Sequence, residues 1–558
     1  MKRTIIAFLL FGICTGHAMQ IASEVSPDVA PESLPFWYQT KMKVWQKIST
    51  VGFEAASSSS TANPLNTAES ERGSELISWA EFDQRTPFPH VYTAKSIPEK
   101  EKTRFSDFSS NVIDKLMRFI PLSQKRLPSI PSDPEALLKF FPASFEKIIP
   151  RPVLPRLIKE GVEKGDVLAA VALAGPFADY IMAKPKMGAG AGDNGEKEKT
   201  MVYTIDLSHY ESLPVKNGLM PLGGKATLEY DAVSQQMRTV SIQYLGYDHG
   251  PGGVNWLLAQ KALLGALSTD LIVVHHLVNT HLSMAGTLAA VTYGELDYNH
   301  SIRVLLHPHI SGTIALNNTT IKLLCGHEYS FLPIVSSYHH GDALALINGS
   351  VDKFDIRRMD FAENLALRGF DPEDLKISYP YAENSGSFWK IIGNYVGNYV
   401  DAYYENDEMV SADAQLSSWY NQLDKYIPNG IKGYAPILNK GTLKKLLTTS
   451  IFTTSVEHEN VGNMTFNYGF WQQYIPMQIP TNGSLIKIDA FNAFTDLTVL
   501  TTASTAKLTE DFSSLAIDEK GKEVMKTFRQ ALIDYEKTLT EKEAHTIVPS
   551  AVESAVRA

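Results

Sequence analysis

Asp270-Leu-Ile-Val-Val-His275-His276-Leu-Val-Asn-Thr-His281 is the stretch on which the reading of this chain turns. With His300, His307 and His309 it gathers six of the 15 histidines into one short region that is otherwise rich in Leu, Ala and Val. Imidazoles in an apolar helix are either core groups with a satisfied hydrogen bond or ligands to a metal. On a regular α-helix a separation of five residues amounts to about 500°, which leaves His276 and His281 about 140° apart. A single π-bulge would bring them to one side. His275, next to His276, points about 100° away from it.

The stretch lies in a long amphipathic pattern over 254–290, and similar patterns occupy 154–183, 388–404 and 523–542, with apolar residues recurring at three and four. Between them, 200–207 and 225–244 alternate like strands. These patterns predict a mainly α fold: one large helical domain over 131–558 with a small β-subdomain. Gly188-Ala-Gly190-Ala-Gly192 precedes a strand and does not join a strand to a helix, which defeats a dinucleotide-binding reading and leaves a flexible loop. Residues 19–130, with the Ser57–Thr61 tract as a Ser-rich linker, read as an irregular leader or lid without the alternation of a lipid-binding β-sandwich.

The 558-residue chain has a net charge of -10 and no run of Lys or Arg, which argues against nucleic-acid binding. Lys2 and Arg3, the apolar run Ile5 to Cys14 and then Gly16-His17-Ala18 read as a signal peptide cleaved after Ala18. Its removal leaves Cys325 as the sole cysteine, so no intrachain disulfide is expected. No later uninterrupted apolar run reaches the ~18 residues that span a bilayer. The expectation is an exported, periplasmic or secreted monomer. Glycosylation sequons occur at Asn299, Asn318, Asn348, Asn463 and Asn482, two of them inside the motifs described below, so a secretory route without glycans fits better.

Several separated segments, in order, resemble the lipoxygenase catalytic domain, bacterial-type and without the N-terminal β-sandwich. Leu173-Ala-Gly-Pro176 is similar to RLAGxNP, Trp256-Leu-Leu-Ala259 to WxxAK, and His276-Leu-Val-Asn-Thr-His281 to HxLNTH. His300-Ser-Ile-Arg-Val-Leu-Leu-His-Pro-His309 resembles HPxxxLLxPH with unchanged spacing. Tyr403-Tyr404-Glu-Asn-Asp407 and Asp413 to Trp419 resemble YYxxD with DxELQxW, Ile451 to His458 resembles IFTASAxH, and Pro549 stands where PSRIPNSxxI begins.

The resemblance implies a non-haem iron dioxygenase that forms hydroperoxides of polyunsaturated fatty acids or phospholipid acyl chains with O2, manganese being an acceptable substitute for iron. The family's ligands are three histidines, an Asn or further His, and the carboxylate of the last residue, and the group that abstracts hydrogen is expected on the metal and not on a side chain. Carried over, the metal ligands are His276, His281, His458, Asn463 and Ala558. An ungapped count from Trp256 puts the family's second histidine on His276 and its first on Leu271, which cannot ligate. The position four after His458 is Gly462, so Asn463 serves through a one-residue slip. Ala285 stands where the family has an acidic residue. His300 and His309 match family positions that are not ligands and are assigned to packing, and His307, His339 and His340 to surface or loop. The competing reading is a lipoxygenase-fold protein with an incomplete metal site, carrying no cofactor, that binds lipid or a partner without turnover. Whether 19–130 docks on a membrane stays open.

Overall fold

The computed structural model describes residues 77–83, 86–94, 153–185, 201–326, 328, 330–482, 506–539 and 546–556. Its axis is one unbroken helical rod of 40 residues, Trp256–Glu295. The rod begins as α-helix (Trp256–Asp270), becomes π-helix over Leu271–Gly286, and returns to α-helix over Thr287–Glu295. By length and composition this rod could cross a bilayer, but 78% of its most apolar window is covered by protein. It is apolar all round because it is the core of the domain.

Close approach of other backbone shapes the rod. A Cβ on Gly265 would sit 2.2 Å from the Pro476 carbonyl oxygen, so only glycine lets the Pro476 loop cross there. Further on, the Thr280 hydroxyl donates to the His275 carbonyl at 2.8 Å, a bond that spans five residues as π geometry does.

Around the rod lie α-helices at Ser301–Ile310, Thr313–Cys325, His340–Val351, Pro380–Tyr403, Ala414–Tyr426, Lys440–Phe452 and Glu519–Thr538. A second π-helical turn, Thr453–Glu457, continues the helix Lys440–Phe452 and leads into His458–Asn463. The β-subdomain is an antiparallel five-stranded meander: β3 (Met182–Pro185), β4 (Met201–Asp206), β5 (Lys225–Asp231), β6 (Gln236–Tyr244) and β7 (Tyr247–His249). In β4 and β5 the inward positions, such as Tyr203, Ile205, Ala226 and Leu228, alternate with more open ones.

The predicted helices at 388–404 and 523–542 and the strand patterns are present with shifted ends. The pattern at 154–183 is instead two short helices, Arg156–Lys164 and Val167–Val171, followed by irregular chain and β3. Gly165 turns the chain at φ 71°, and Asp166 starts a new helix by accepting the Ala169 N–H, so an apolar rhythm that looks continuous is cut by local capping. Within 19–130 the described residues form a hairpin, β1 (Ile77–Asp83) with β2 (Thr86–Ala94), whose second strand lies against the π-helix. Prolines and irregular register around Glu81 hide its alternation in the sequence. Residues 1–18, 188–192 and Ala558 lie outside the described residues.

Candidate metal centre

His276 and His281 project from the long π-helix, and His458 follows the second π-helical turn. Because π hydrogen bonds run from i to i+5, residues five apart stack on one side, and the 140° separation of the α-helical count disappears. His276 Nε2 lies 3.0 Å from His281 Nε2, and His458 Nε2 lies 3.3 Å from His281 Nε2. All three ligand atoms fall within 4.8 Å of one another. Two nitrogens about 2.1 Å from one ion and at right angles would be about 3.0 Å apart. The three side chains are buried, at 9%, 3% and 2% exposure. Burial, then the neighbouring His281 and His458, pushes His276 well below the usual imidazole range. Burial likewise pushes His281 down to about 4, against an opposing hydrogen bond to Asn317. Neutral imidazoles are the form that ligates a metal, so the donor set fits a divalent transition ion.

Behind His281 stands Asn317, on the helix Thr313–Cys325. Its Oδ1 is 2.9 Å from His281 Nδ1, and its Nδ2 donates to the His281 carbonyl at 2.7 Å. One turn earlier on the same helix, Thr313 donates to the Val556 carbonyl at 3.1 Å, and His309 Nδ1 donates to the Ser554 carbonyl at 2.9 Å. The buried tail 552–556 is thereby tied to the helix that braces His281.

A second polar cluster links the π-helix Leu271–Gly286 to the π-turn Thr453–Glu457. Asp179 receives Arg368 at 3.0 Å, faces His275 Nδ1 at 3.7 Å, and has the Tyr381 hydroxyl 3.5 Å away. The same hydroxyl is 3.5 Å from Glu457, whose carboxyl is raised to about 8 by burial and then by the Asp179 charge. Asp270, at the end of the first α-segment, accepts from Tyr180 at 2.9 Å and Tyr210 at 2.8 Å.

The sequence candidates thus separate. His276, His281 and His458 come together. Asn463 is half-buried and its Oδ1 takes the Asn467 amide at 2.5 Å, while Gly462 is buried beside it. Leu271 is fully buried core. The converging pair keeps the separation of five that the ungapped count gave to Leu271 and His276, but one π-turn later. His275 faces the two aspartates, and His300 caps a helix by accepting the Ile302 N–H at 3.2 Å. His307 is not at the surface: it is buried against the Tyr293 hydroxyl at 3.2 Å, because the helix Ser301–Ile310 is covered all round. His339 is exposed, and His340 reaches the Cys325 carbonyl at 2.8 Å. Asn317 and Asp179 were missed, since neither lies in a spaced histidine pattern; the one signal is, for Asp179, a carboxylate inside an apolar run, while Asn317 stands in the polar stretch Asn317 to Thr320.

The lipoxygenase family model matches residues 216–516, which includes all three histidines. The chain is a lipoxygenase-family protein. It is 30% identical over 187 residues to the linoleate 9/13-lipoxygenase of Pseudomonas aeruginosa, covering 33% of this chain and 27% of that one. With the seed linoleate 9S-lipoxygenase of Glycine max it shares 28% identity over 252 residues, 41% of this chain and 28% of that one. The matched stretches thus span well under half of these curated lipoxygenases. Among solved structures, coral 8R-lipoxygenase superposes with a TM-score of 0.69 at 14% identity, over 95% of this chain and 83% of that one. A lipoxygenase crystallised with arachidonate gives 0.68 at 16% identity, over 89% and 81%. The mainly helical lipoxygenase fold with its small sheet is therefore the fold of this chain.

Proposed function

We propose that this lipoxygenase-family protein is a non-haem iron dioxygenase that forms hydroperoxides of polyunsaturated fatty acids. The observation that carries the reading is the convergence of three buried histidine Nε2 atoms, two of them one π-turn apart, inside a 4.8 Å span. A bound redox ion would supply the one-electron chemistry that lets triplet O2 combine with a closed-shell acyl chain. The imidazoles supply three neutral nitrogen donors, which suit iron and also accept manganese. The three imidazoles are themselves buried away from bulk water, as are their sequence neighbours Leu277, Leu282, Val456 and Val461. The Ala558 carboxylate is the proposed oxygen donor, two residues beyond the buried Val556, and Asn463 would join only by leaving Asn467. The substrate class follows the names of the matched relatives and the arachidonate held by a structural neighbour. The residues 1–18 favour export, and the protein is proposed to act as a monomer.

The competing reading, a fold that binds lipid without turnover, draws on Gly462 and on the Asn463–Asn467 bond, which leave the fourth position without a donor. Protein purified without a C-terminal tag separates the two. About one iron or manganese per chain, with conjugated-diene absorbance developing from linoleate or arachidonate, is the expected result. Metal well below one per chain together with no diene would overturn the enzyme reading. Extending the chain beyond Ala558 should abolish turnover, and unchanged turnover removes Ala558 from the ligand set.

A further inference from the structure

Asn317 makes two hydrogen bonds that only one orientation of its amide can satisfy. The His281 backbone carbonyl can only accept, so the Asn317 atom 2.7 Å from it must be the NH2 group. That places the amide oxygen against His281 Nδ1 at 2.9 Å, and an oxygen that can only accept requires the ring nitrogen to carry the hydrogen. His281 is then a neutral imidazole protonated at Nδ1, with its Nε2 lone pair bare and turned toward His276 and His458.

The approach depends on Gly286, five residues further along the π-helix. A Cβ at that position would stand 2.7 Å from Asn317 Nδ2 and 3.0 Å from the His281 carbonyl oxygen, inside the space the clamp occupies. To make room for such a Cβ the Asn317 amide would have to shift away from the His281 carbonyl that it now donates to. We infer that Asn317, admitted by the missing side chain of Gly286, is the positioning residue that sets the tautomer and ring orientation of His281 as a metal ligand. The inference rests on the metal-site reading above. It adds a residue that touches neither ion nor substrate and a glycine whose role is to leave room for it.

Histidine ligands braced through their distal N–H lose about 10- to 100-fold in metal affinity when the brace is removed. The test is a Co(II) titration of the metal-free full chain, read by dissociation constant and visible ligand-field spectrum. Asn317→Leu should weaken Co(II) binding about 10- to 100-fold and alter the spectrum, with the thermal midpoint of the metal-free protein recorded alongside. Gly286→Ala should show the same two changes. In Asn317→Ala, where the closer clash with the amide is gone and only the 3.0 Å approach to the His281 carbonyl is left, adding Gly286→Ala should cost little further affinity, so the two substitutions are strongly non-additive. A merely structural role would move the thermal midpoint and leave the ligand-field spectrum alone. Wild-type protein that takes up no Co(II) overturns the metal reading and this assignment with it. Wild type that binds while Asn317→Leu binds equally, with the same spectrum, overturns the assignment only, as would fully additive effects of the Gly286 and Asn317 substitutions.

Discussion

At the scale of single residues, the ungapped count from Trp256 puts a ligand position on Leu271, but it is His281 that the structure brings to His276. Leu271 is sealed in the core, and His281 stands with His276 and His458. If the three histidines suffice, Leu271→His buries an imidazole among apolar groups, costing about 1–3 kcal/mol, without raising metal affinity. If the site were a degraded one that lacks its first ligand, the same substitution would tighten metal binding, so a titration of this variant distinguishes the cases. Truncating His281 or His458 to Ala should each abolish stoichiometric metal uptake while the metal-free protein still folds. The histidines themselves were legible in the sequence because their spacing is chemical. Their partner Asn317 was not, because its contact joins residues 36 apart through two different helices.

Elements carry the next layer. The rod Trp256–Glu295 is visible as an apolar pattern, yet its π-register is not, since the choice between i+4 and i+5 bonding is made by packing and by hydroxyls such as Thr280. The same blindness merged Arg156–Lys164, Val167–Val171 and β3 into one expected helix, although Gly165 and Asp166 mark the break locally. Gly265 predicts a sharp cost: Gly265→Ala drives a methyl into the Pro476 carbonyl and should destabilise the protein by roughly 1–3 kcal/mol or more in urea unfolding. The buried pair Asp179–Arg368 joins the segment before β3 to the end of the helix Phe361–Leu367, and Asp179 also faces His275 of the rod. Arg368→Met leaves the Asp179 carboxylate without its cation and should cost about 3–5 kcal/mol. A loss under about 1 kcal/mol would mean the pair is not compensating a buried charge.

For the molecule as a whole, acid stability and the metal are the informative variables. Burial alone would raise Asp413, but hydrogen bonds from His300, the Leu416 N–H and Tyr404 outweigh it and hold its carboxyl well below the usual range. A folded value below the unfolded ~3.9 means that the unfolded chain binds more protons in between, so stability is full above about pH 4 and is lost as pH falls through the folded value. Asp413→Asn should therefore flatten the fall of the urea midpoint below about pH 4, and an unchanged slope would show that this junction is not the acid-sensitive group. The mainly helical class and the small sheet were readable from apolar periodicity, which records core packing, and the family from the ordered motifs. The hairpin at 77–94 and the bracing of the tail by His309 and Thr313 were not, because they are long-range contacts. The central claim is that His276, His281 and His458 hold one redox ion. Anomalous diffraction at the iron edge from crystals of the full chain tests it most directly. One peak about 2.0–2.2 Å from all three Nε2 atoms is the predicted result; iron-loaded crystals with no peak there, or with their peak elsewhere, would contradict it.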